Sequence, residues 1–89
     1  QSLCKYTMAA NEMLVVEDTR NDAQLKQHPL VIRRPGFRFY AGFPLHMSGD
    51  FPVGALSVYD TQPRALSPGE LQTLRDLGEI MQKELLTNE

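Results

Sequence analysis

The most regular spacing of hydrophobic residues lies in the last third of the chain. These residues recur at intervals of three and four, which places them on one face of an α-helix. They are Leu71, Leu74, Leu77, Met81 and Leu85. Ser67 and Glu70 stand just before them in the spacing of a capping box, in which each side chain bonds the backbone amide of the other residue. The pattern therefore predicts an amphipathic helix over residues 68–86.

Earlier in the chain, residues 13–19, 37–47 and 53–62 have the composition of β-strands. They are rich in valine, leucine and aromatic side chains and are bounded by turn residues. Residues 48–50, with the sequence SGD, mark a hairpin loop between the second and the third segment. Strands joined by a hairpin are antiparallel, so we expect an antiparallel sheet.

Two shorter segments are expected to be helical. Residues 2–10 have apolar side chains at helical spacing, with Ser2 in position to cap them. Asn21 or Asp22 can cap a helical turn that ends before Pro29, because the residue preceding a proline avoids helical geometry. The order helix, strand, helical turn, two strands and long helix predicts an α+β domain, in which an antiparallel sheet is backed by helices.

Composition narrows the class of protein. The 89 residues are 42% hydrophobic and 22% charged, which is typical of a soluble globular domain. A formal net charge of −2 argues against nucleic-acid binding, and no apolar run is long enough to cross a bilayer. The one cysteine, Cys4, excludes an internal disulfide and favours a reducing compartment. We therefore expect a cytoplasmic domain that contacts neither membrane nor nucleic acid.

Several segments, taken in chain order, carry a family resemblance. SLCKYTM near the start, FRFYAGFPL at residues 37–45 and GALSVYDTQPRAL at residues 54–66 resemble GAF domains of bacterial signal-transduction proteins. The resemblance implies a GAF/PAS-like antiparallel sheet, with helices on one side and a ligand cavity over the other. The first helix and the first two strands of that family have no counterpart. Residues 1–89 are therefore predicted to form a single partial GAF domain with an open sheet edge at residues 53–59.

Side chains along the second predicted strand alternate between the two faces of the sheet. One face is entirely apolar and suits the helix side; it carries Phe39, Ala41, Phe43 and Leu45. The other face carries Arg38, Tyr40, Gly42, Pro44 and His46. Gly42 either leaves room for a ligand or backbone on the cavity side or only allows a bend in the strand. We expect Pro44 at a bulge, or at a position where no neighbouring strand needs the amide hydrogen that proline lacks.

The resemblance places ligand contacts on the face opposite the C-terminal helix. The candidate ligand-binding residues are Cys4, Arg38, Tyr40, Ser57 and Tyr59. Cys4 has two interpretations, a reactive thiol near a helix start or a small buried hydrophobic residue. Relatives that attach a bilin pigment have histidine after the cysteine, whereas Lys5 follows here. Methionine sulfoxide reductases of this fold need several cysteines, so neither activity is favoured.

The resemblance implies a sensory role and leaves two functions open. In the first, a small molecule occupies the cavity, and the helix at residues 68–86 relays the change to a downstream output domain of the histidine kinase or diguanylate cyclase type. In the second, the domain binds no ligand and serves as a dimerisation module. The signalling or dimerisation helix would use the side chains of Leu71, Leu74, Leu77, Met81 and Leu85. A homodimer is expected, and the module itself is not expected to be an enzyme.

The remaining polar residues do not suggest a catalytic or metal site. His28 and His46 are too few to bind a metal, and both are expected to lie in solvent. Asp18 and Asp22 have the spacing of an acid–base pair, but aspartates beside turns more often cap backbone amides. No cofactor, metal or catalytic residue is predicted.

Overall fold

In the computed structural model, the described residues 3–87 form one three-stranded antiparallel sheet with helices on both faces. The helices and strands are α1 (Cys4–Ala10), β1 (Leu14–Val16), α2 (Pro29–Ile32), β2 (Phe39–Leu45), β3 (Gly54–Asp60) and α3 (Pro68–Thr87), with a 3-10 turn at Thr19–Asn21. The strand order is β1–β2–β3, so β2 lies at the centre of the sheet. The predicted α+β class is confirmed.

The pairing of β2 with β3 fixes which side chains share a face. Ala41 lies opposite Val58, and Tyr40 lies opposite Tyr59. Residues directly opposite each other in antiparallel strands point to the same side of the sheet. The Ala41 pair therefore faces one layer of helices and the Tyr40 pair faces the other, which confirms the division of faces predicted from the alternation.

α3 covers the apolar face of β2. The buried core on this side consists of Phe39, Ala41 and Leu74. The ring of Phe43 occupies the space that a side chain at Gly78 would need, so the helix and the strand approach closely there. Just after β2, the backbone amide of His46 donates to Gln82 Oε1 at 2.7 Å, and Gln82 Nε2 donates back to the His46 carbonyl at 2.5 Å. Apolar burial and these two bonds attach α3 to β2.

α1 covers the opposite face of the sheet. The buried core on this side consists of Leu3, Val16, Leu25 and Tyr40. α1 begins at Cys4 with Leu3 in the N-cap position, and no side chain caps it. The predicted cap, Ser2, lies outside the described residues. β2 is therefore enclosed between α1 and α3.

α3 begins where the sequence predicts. The Ser67 amide donates to Glu70 Oε1 at 2.9 Å, and the Glu70 amide donates to Ser67 Oγ at 3.1 Å, which confirms the capping box. The bond from the Ser67 amide also lowers the pKa of Glu70. Within the described residues the helix spans Pro68–Thr87, which includes the predicted range 68–86.

Aspartate caps shape the segment after β1. Asp18 Oδ1 accepts the Arg20 amide at 3.1 Å and turns the chain, so β1 ends at Val16 rather than at residue 19. Asp22 Oδ1 accepts the Leu25 amide at 2.9 Å. The predicted capping role of both aspartates is confirmed.

The short helix α2 is not predicted by the sequence, because Pro29 indicates the end of the preceding turn. In the structure Pro29 occupies the first helical position, where its missing amide needs no partner. His28 is the N-cap, and its Nδ1 accepts the Leu30 amide at 3.1 Å. The expectation that His28 lies in solvent is wrong, since the residue is only 5% exposed.

Gly42 and Pro44 have separate explanations. A Cβ at Gly42 would overlap the hydroxyl groups of Thr7 and Tyr40. The space above Gly42 is therefore occupied by these groups, one of which belongs to α1. Pro44 lies beyond the last β2 residue that pairs with β1, so no strand needs its amide on that side. Both residues thus fit a strand that is crowded on one face and, near its end, has no partner on the β1 side.

β1 and β3 form the two edges of the sheet. Within residues 3–87 no further strand pairs with β3, in agreement with the edge predicted at residues 53–59. Val53 and Val58 at this edge are 57% and 45% exposed. Across the same residues, no helix has the length and apolar character needed to span a membrane.

Gly42→Ala is expected to destabilise the fold, because the added methyl group would displace the Thr7 and Tyr40 hydroxyls. Overpacking of this kind costs about 1–3 kcal/mol, which chemical denaturation measures. Gly54→Ala is the matched control, since a Cβ at Gly54 meets no atom within 4 Å. Its effect should stay within about 0.5 kcal/mol. Equal stability of the two variants would contradict the close approach of α1 at Gly42.

Candidate functional site

A group of hydroxyl and thiol side chains lies between α1 and the sheet, hereafter the hydroxyl cluster. It consists of Cys4 and Thr7 of α1, Tyr40 of β2, and Ser57 and Tyr59 of β3. The Tyr40 hydroxyl bonds the Thr7 hydroxyl and lies 3.3 Å from Ser57 Oγ. Cys4 Sγ lies 3.2 Å from Ser57 Oγ and 3.8 Å from the Tyr59 hydroxyl. The contacts link groups that can each donate and accept hydrogen bonds.

Two periodicities bring the hydroxyl cluster together. Cys4 and Thr7 are three residues apart in α1, so they lie on the same face of that helix. Tyr40 and Tyr59 share a face of the sheet because they are directly paired. The absence of a side chain at Gly42 leaves space above β2 in which the Tyr40 and Thr7 hydroxyls meet. The site therefore depends on a helical spacing, a strand alternation and one glycine.

Both phenols of the hydroxyl cluster keep their protons at neutral pH. Burial raises the pKa of Tyr40, and the hydrogen bonds with Ser57 and Thr7 offset only part of that effect. Burial also raises the pKa of Tyr59, and its hydrogen bond with Cys4 adds to the increase. A protonated phenol can both donate and accept, so the site is suited to polar, uncharged groups of a ligand.

Most of the predicted ligand-binding residues lie in the hydroxyl cluster, namely Cys4, Tyr40, Ser57 and Tyr59. Arg38 does not join them. Its Nη1 donates to the Val31 carbonyl at 2.6 Å, and so ties the segment before β2 to α2. Thr7 is a cluster member that the sequence analysis does not single out. Its position three residues after Cys4 is the signal that places it on the same face of α1.

α1 closes the centre of the hydroxyl cluster. Tyr40 is 0% exposed, whereas Tyr59 at the periphery is 37% exposed. The resemblance implies a ligand cavity over this face. Two surface grooves lie beside α3. One of about 410 Å³ runs between α3 and β3 past Val58. Another of about 710 Å³ lies beside β1 and includes Arg75. In this arrangement Tyr40 contacts α1, and a ligand would reach it only after α1 moved.

The hydrophobic stripe of α3 divides into a buried and an exposed part. Leu74 is buried, and Leu71 and Leu85 are half-buried. Leu77 and Met81 are 51% and 44% exposed. The five residues predicted for the signalling helix therefore do not form one continuous free surface, because Leu74 belongs to the core of this domain.

Other polar side chains have structural partners. His46 is half-buried rather than exposed, and its Nε2 lies 2.8 Å from Asn11 Oδ1. Asp18 and Asp22 cap backbone amides. Among residues 3–87, no group of three or more histidine, cysteine, aspartate or glutamate side chains could hold a metal ion.

Sequence comparison identifies a family and a bacterial relative. The model of the GAF domain matches residues 1–85. The chain is 35% identical over 63 residues to a cyclic di-GMP phosphodiesterase of Pseudomonas aeruginosa. That match covers 71% of this chain and 11% of the phosphodiesterase. The chain therefore spans only a small part of the length of this relative.

Solved structures share the fold at low sequence identity. The type II free methionine-R-sulfoxide reductase of Thermoplasma acidophilum has a TM-score of 0.69 at 15% identity, over 99% of this chain and 57% of that one. The free methionine-R-sulfoxide reductase of Neisseria meningitidis has a TM-score of 0.68 at 19% identity, over 99% of this chain and 50% of that one. The GAF domain region of a Geobacter sulfurreducens protein has a TM-score of 0.62 at 20% identity, over 93% of this chain and 55% of that one. At these identities the likeness concerns the fold alone.

The family match and the architecture agree. The GAF model covers nearly the whole chain, and the antiparallel sheet with its helices resembles the solved GAF region over most of its length. Together with the phosphodiesterase relative, these findings support a sensory or regulatory module of bacterial signal transduction. The chain belongs to the GAF domain family.

Proposed function

We propose that this GAF domain is a sensor that binds a small, polar, uncharged molecule at the hydroxyl cluster and relays binding through α3. The observation that carries the proposal is the cluster itself. Hydroxyl groups cost free energy to bury unless they are hydrogen-bonded, so a core that served stability alone would favour apolar side chains. Here hydroxyl and thiol groups from α1, β2 and β3 meet in one place.

α1 is the element that would move to admit a ligand. It has 7 residues, and a helix this short holds its conformation mainly through packing. Cys4 and Thr7 hold it to the sheet through hydrogen bonds, which the donors and acceptors of a ligand can replace. Binding would favour the arrangement in which α1 is displaced and would shift the population toward it.

β2 connects the ligand side to α3. Tyr40 faces α1, whereas its neighbours Phe39 and Ala41 belong to the core that includes Leu74 of α3. The bonds between His46 and Gln82 add a polar connection at the end of the strand. A movement of β2 on binding would therefore reach α3, whose 20 residues extend about 30 Å at 1.5 Å per residue.

We assign the output to another domain of the same protein, downstream of α3. The Pseudomonas aeruginosa relative is a cyclic di-GMP phosphodiesterase, and the matched segment is 11% of its length. By analogy, the output domain would synthesise or degrade cyclic di-GMP, with a histidine kinase as the alternative. In this proposal the GAF domain regulates the reaction and does not catalyse it.

A second candidate function is dimerisation without a ligand. Exposed apolar side chains lie on α3 and at the edge of the sheet, namely Val58, Leu77, Ile80 and Met81. Apolar surface of this kind favours protein–protein contacts, and an unpaired edge strand favours pairing with another chain. This surface lies on the opposite side of the sheet from α1, so a homodimer formed through it would also be compatible with the sensor.

A ligand screen tests the sensor proposal. We expect a hit from a panel of small polar metabolites, detected by thermal unfolding and verified by native mass spectrometry. At about one hundred times Kd, binding stabilises by roughly 2.7 kcal/mol, which raises Tm by roughly 15 °C in a domain of this size. Ser57→Ala should reduce this increase in Tm because Ser57 belongs to the hydroxyl cluster. Ser48→Ala, in the exposed hairpin loop, should retain it.

Two results would contradict the sensor proposal. One is a broad panel in which no compound changes Tm or adds mass to the protein. The other is a ligand whose stabilising effect is the same in Ser57→Ala as in the unmodified chain, since that ligand would bind elsewhere.

The combined substitutions Leu77→Glu and Ile80→Glu test the second candidate. They place charges on the exposed apolar surface of α3 and should convert a dimer to a monomer, as measured by sedimentation velocity over a range of concentrations. Arg75→Glu is the control, because Arg75 is exposed beside β1 rather than β3 and the dimer should persist. An unmodified chain that sediments as a monomer at every concentration would rule out dimerisation through this surface.

A further inference from the structure

His28 combines three properties in one ring: it caps α2, it is buried and it can be protonated. Its Nδ1 accepts the Leu30 amide at 3.1 Å, and its backbone carbonyl accepts the amides of Val31 and Ile32 at 2.9 and 3.0 Å. The residue is 5% exposed. Its ring lies at a steep angle to the Tyr6 ring of α1, with the two centroids 6.0 Å apart. The same side chain therefore contacts both α1 and α2.

The cap fixes where the ring carries its proton. A nitrogen that accepts a hydrogen bond bears no hydrogen, so the neutral ring is protonated on Nε2. Nε2 is buried, and no acceptor for it lies among the described residues. A second proton would have to bind Nδ1, where it would face the Leu30 N–H instead of accepting it. Protonation of His28 and capping of α2 by its side chain therefore exclude each other.

The surroundings of His28 also disfavour a positive charge. Burial lowers the pKa of His28, and the charge of Lys5 lowers it further. Two titratable groups of α1 lie on this side of the ring, Tyr6 and Lys5, and Lys5 Nζ lies 5.3 Å from the centre of the Tyr6 ring. Neither side chain is a carboxylate that could pair with a protonated imidazole. Among residues 3–87, no carboxylate is among the groups that act on the pKa of His28, so a protonated ring has no counter-ion there.

α2 holds the segment that leads into β2. The Leu30 carbonyl accepts the Phe37 amide at 3.0 Å, and the Val31 carbonyl accepts Arg38 Nη1 at 2.6 Å. α2 has only 4 residues and begins with Pro29, which has no amide hydrogen, so the Leu30 amide is the one that depends on the side-chain cap. Loss of the cap would leave this amide without its partner and weaken the contacts that depend on α2.

We propose that His28 is an acid-sensitive latch, whose protonation breaks the Nδ1 cap and releases α2 and its contact with α1 while the sheet and α3 stay folded. The latch does not depend on ligand binding at the hydroxyl cluster. Release of α2 takes up one proton. The cap therefore contributes its full stabilisation to α2 above about pH 6.5, the usual pKa of a free imidazole. This stabilisation is lost progressively as the pH falls below that value.

Hydrogen exchange of the α2 amides in the whole chain tests the latch. The protection factors of Leu30, Val31 and Ile32 should fall by about tenfold or more between about pH 7.5 and pH 5. The reason is that, below the pKa of the released ring, the opening equilibrium rises tenfold for each drop of one in pH. The protection factors of amides in the middle of α3 should stay constant over the same range.

His28→Asn is the matched variant, because the asparagine side-chain oxygen can cap a helix but does not titrate in this range. Its α2 protection should be independent of pH. His46→Asn removes the other histidine of the chain and should leave the pH dependence of α2 unchanged. Titration of the His28 Cε1 proton by NMR gives the midpoint of the ring itself, which should lie below that of a free imidazole.

The latch is contradicted by α2 protection that stays constant from about pH 7.5 to pH 5 in the unmodified chain. It is also contradicted if His28→Asn loses protection over that range as the unmodified chain does. If His28→Asn does not fold, the NMR titration decides, and a midpoint at or above that of a free imidazole overturns the proposal.

Discussion

The hydrogen bond between the Thr7 and Tyr40 hydroxyls holds α1 against the sheet, and it can form because β2 has no side chain at Gly42. Tyr40 is fully buried beneath α1, where a hydroxyl without a partner would cost free energy. The other face of β2 is apolar and packs on α3 through Phe39 and Ala41. The central strand is therefore held by hydrophobic burial on both faces, and on the α1 side a polar contact is added to it.

The contacts on the two faces of β2 differ in kind. Packing on α3 stabilises the fold, whereas the hydrogen bonds to α1 are contacts that a ligand could replace. Burial against α3 is non-directional and grows with the apolar area removed from water. Hydrogen bonds to α1 contribute a net of about 0.5–1.5 kcal/mol each, and a ligand can replace them. A ligand at the hydroxyl cluster could therefore displace α1 while α3 stays attached to β2. His28 acts on the same layer, since its ring contacts α1 through Tyr6.

The sequence predicts the repeating parts of this structure and few of its single contacts. Alternation in β2 predicts the two faces of the strand, and a capping box predicts the start of α3. His28 has no such pattern, because its burial depends on Tyr6, which is distant in sequence. Helical spacing also places Leu74 and Leu77 on one stripe, but the sequence does not show how far the sheet extends beneath it. β3 is the edge of the sheet, so Leu74 is buried and Leu77 is exposed.

A double-mutant cycle with Thr7→Val and Tyr40→Phe measures the contact between α1 and β2, because each substitution removes a hydroxyl and nearly keeps the size of the side chain. Chemical denaturation of the four chains gives the coupling free energy between the two positions. We expect a favourable coupling of about 1 kcal/mol, within the range for residues in direct contact. A coupling near zero would show that α1 is held to the sheet without this hydrogen bond, contrary to the role assigned to it here.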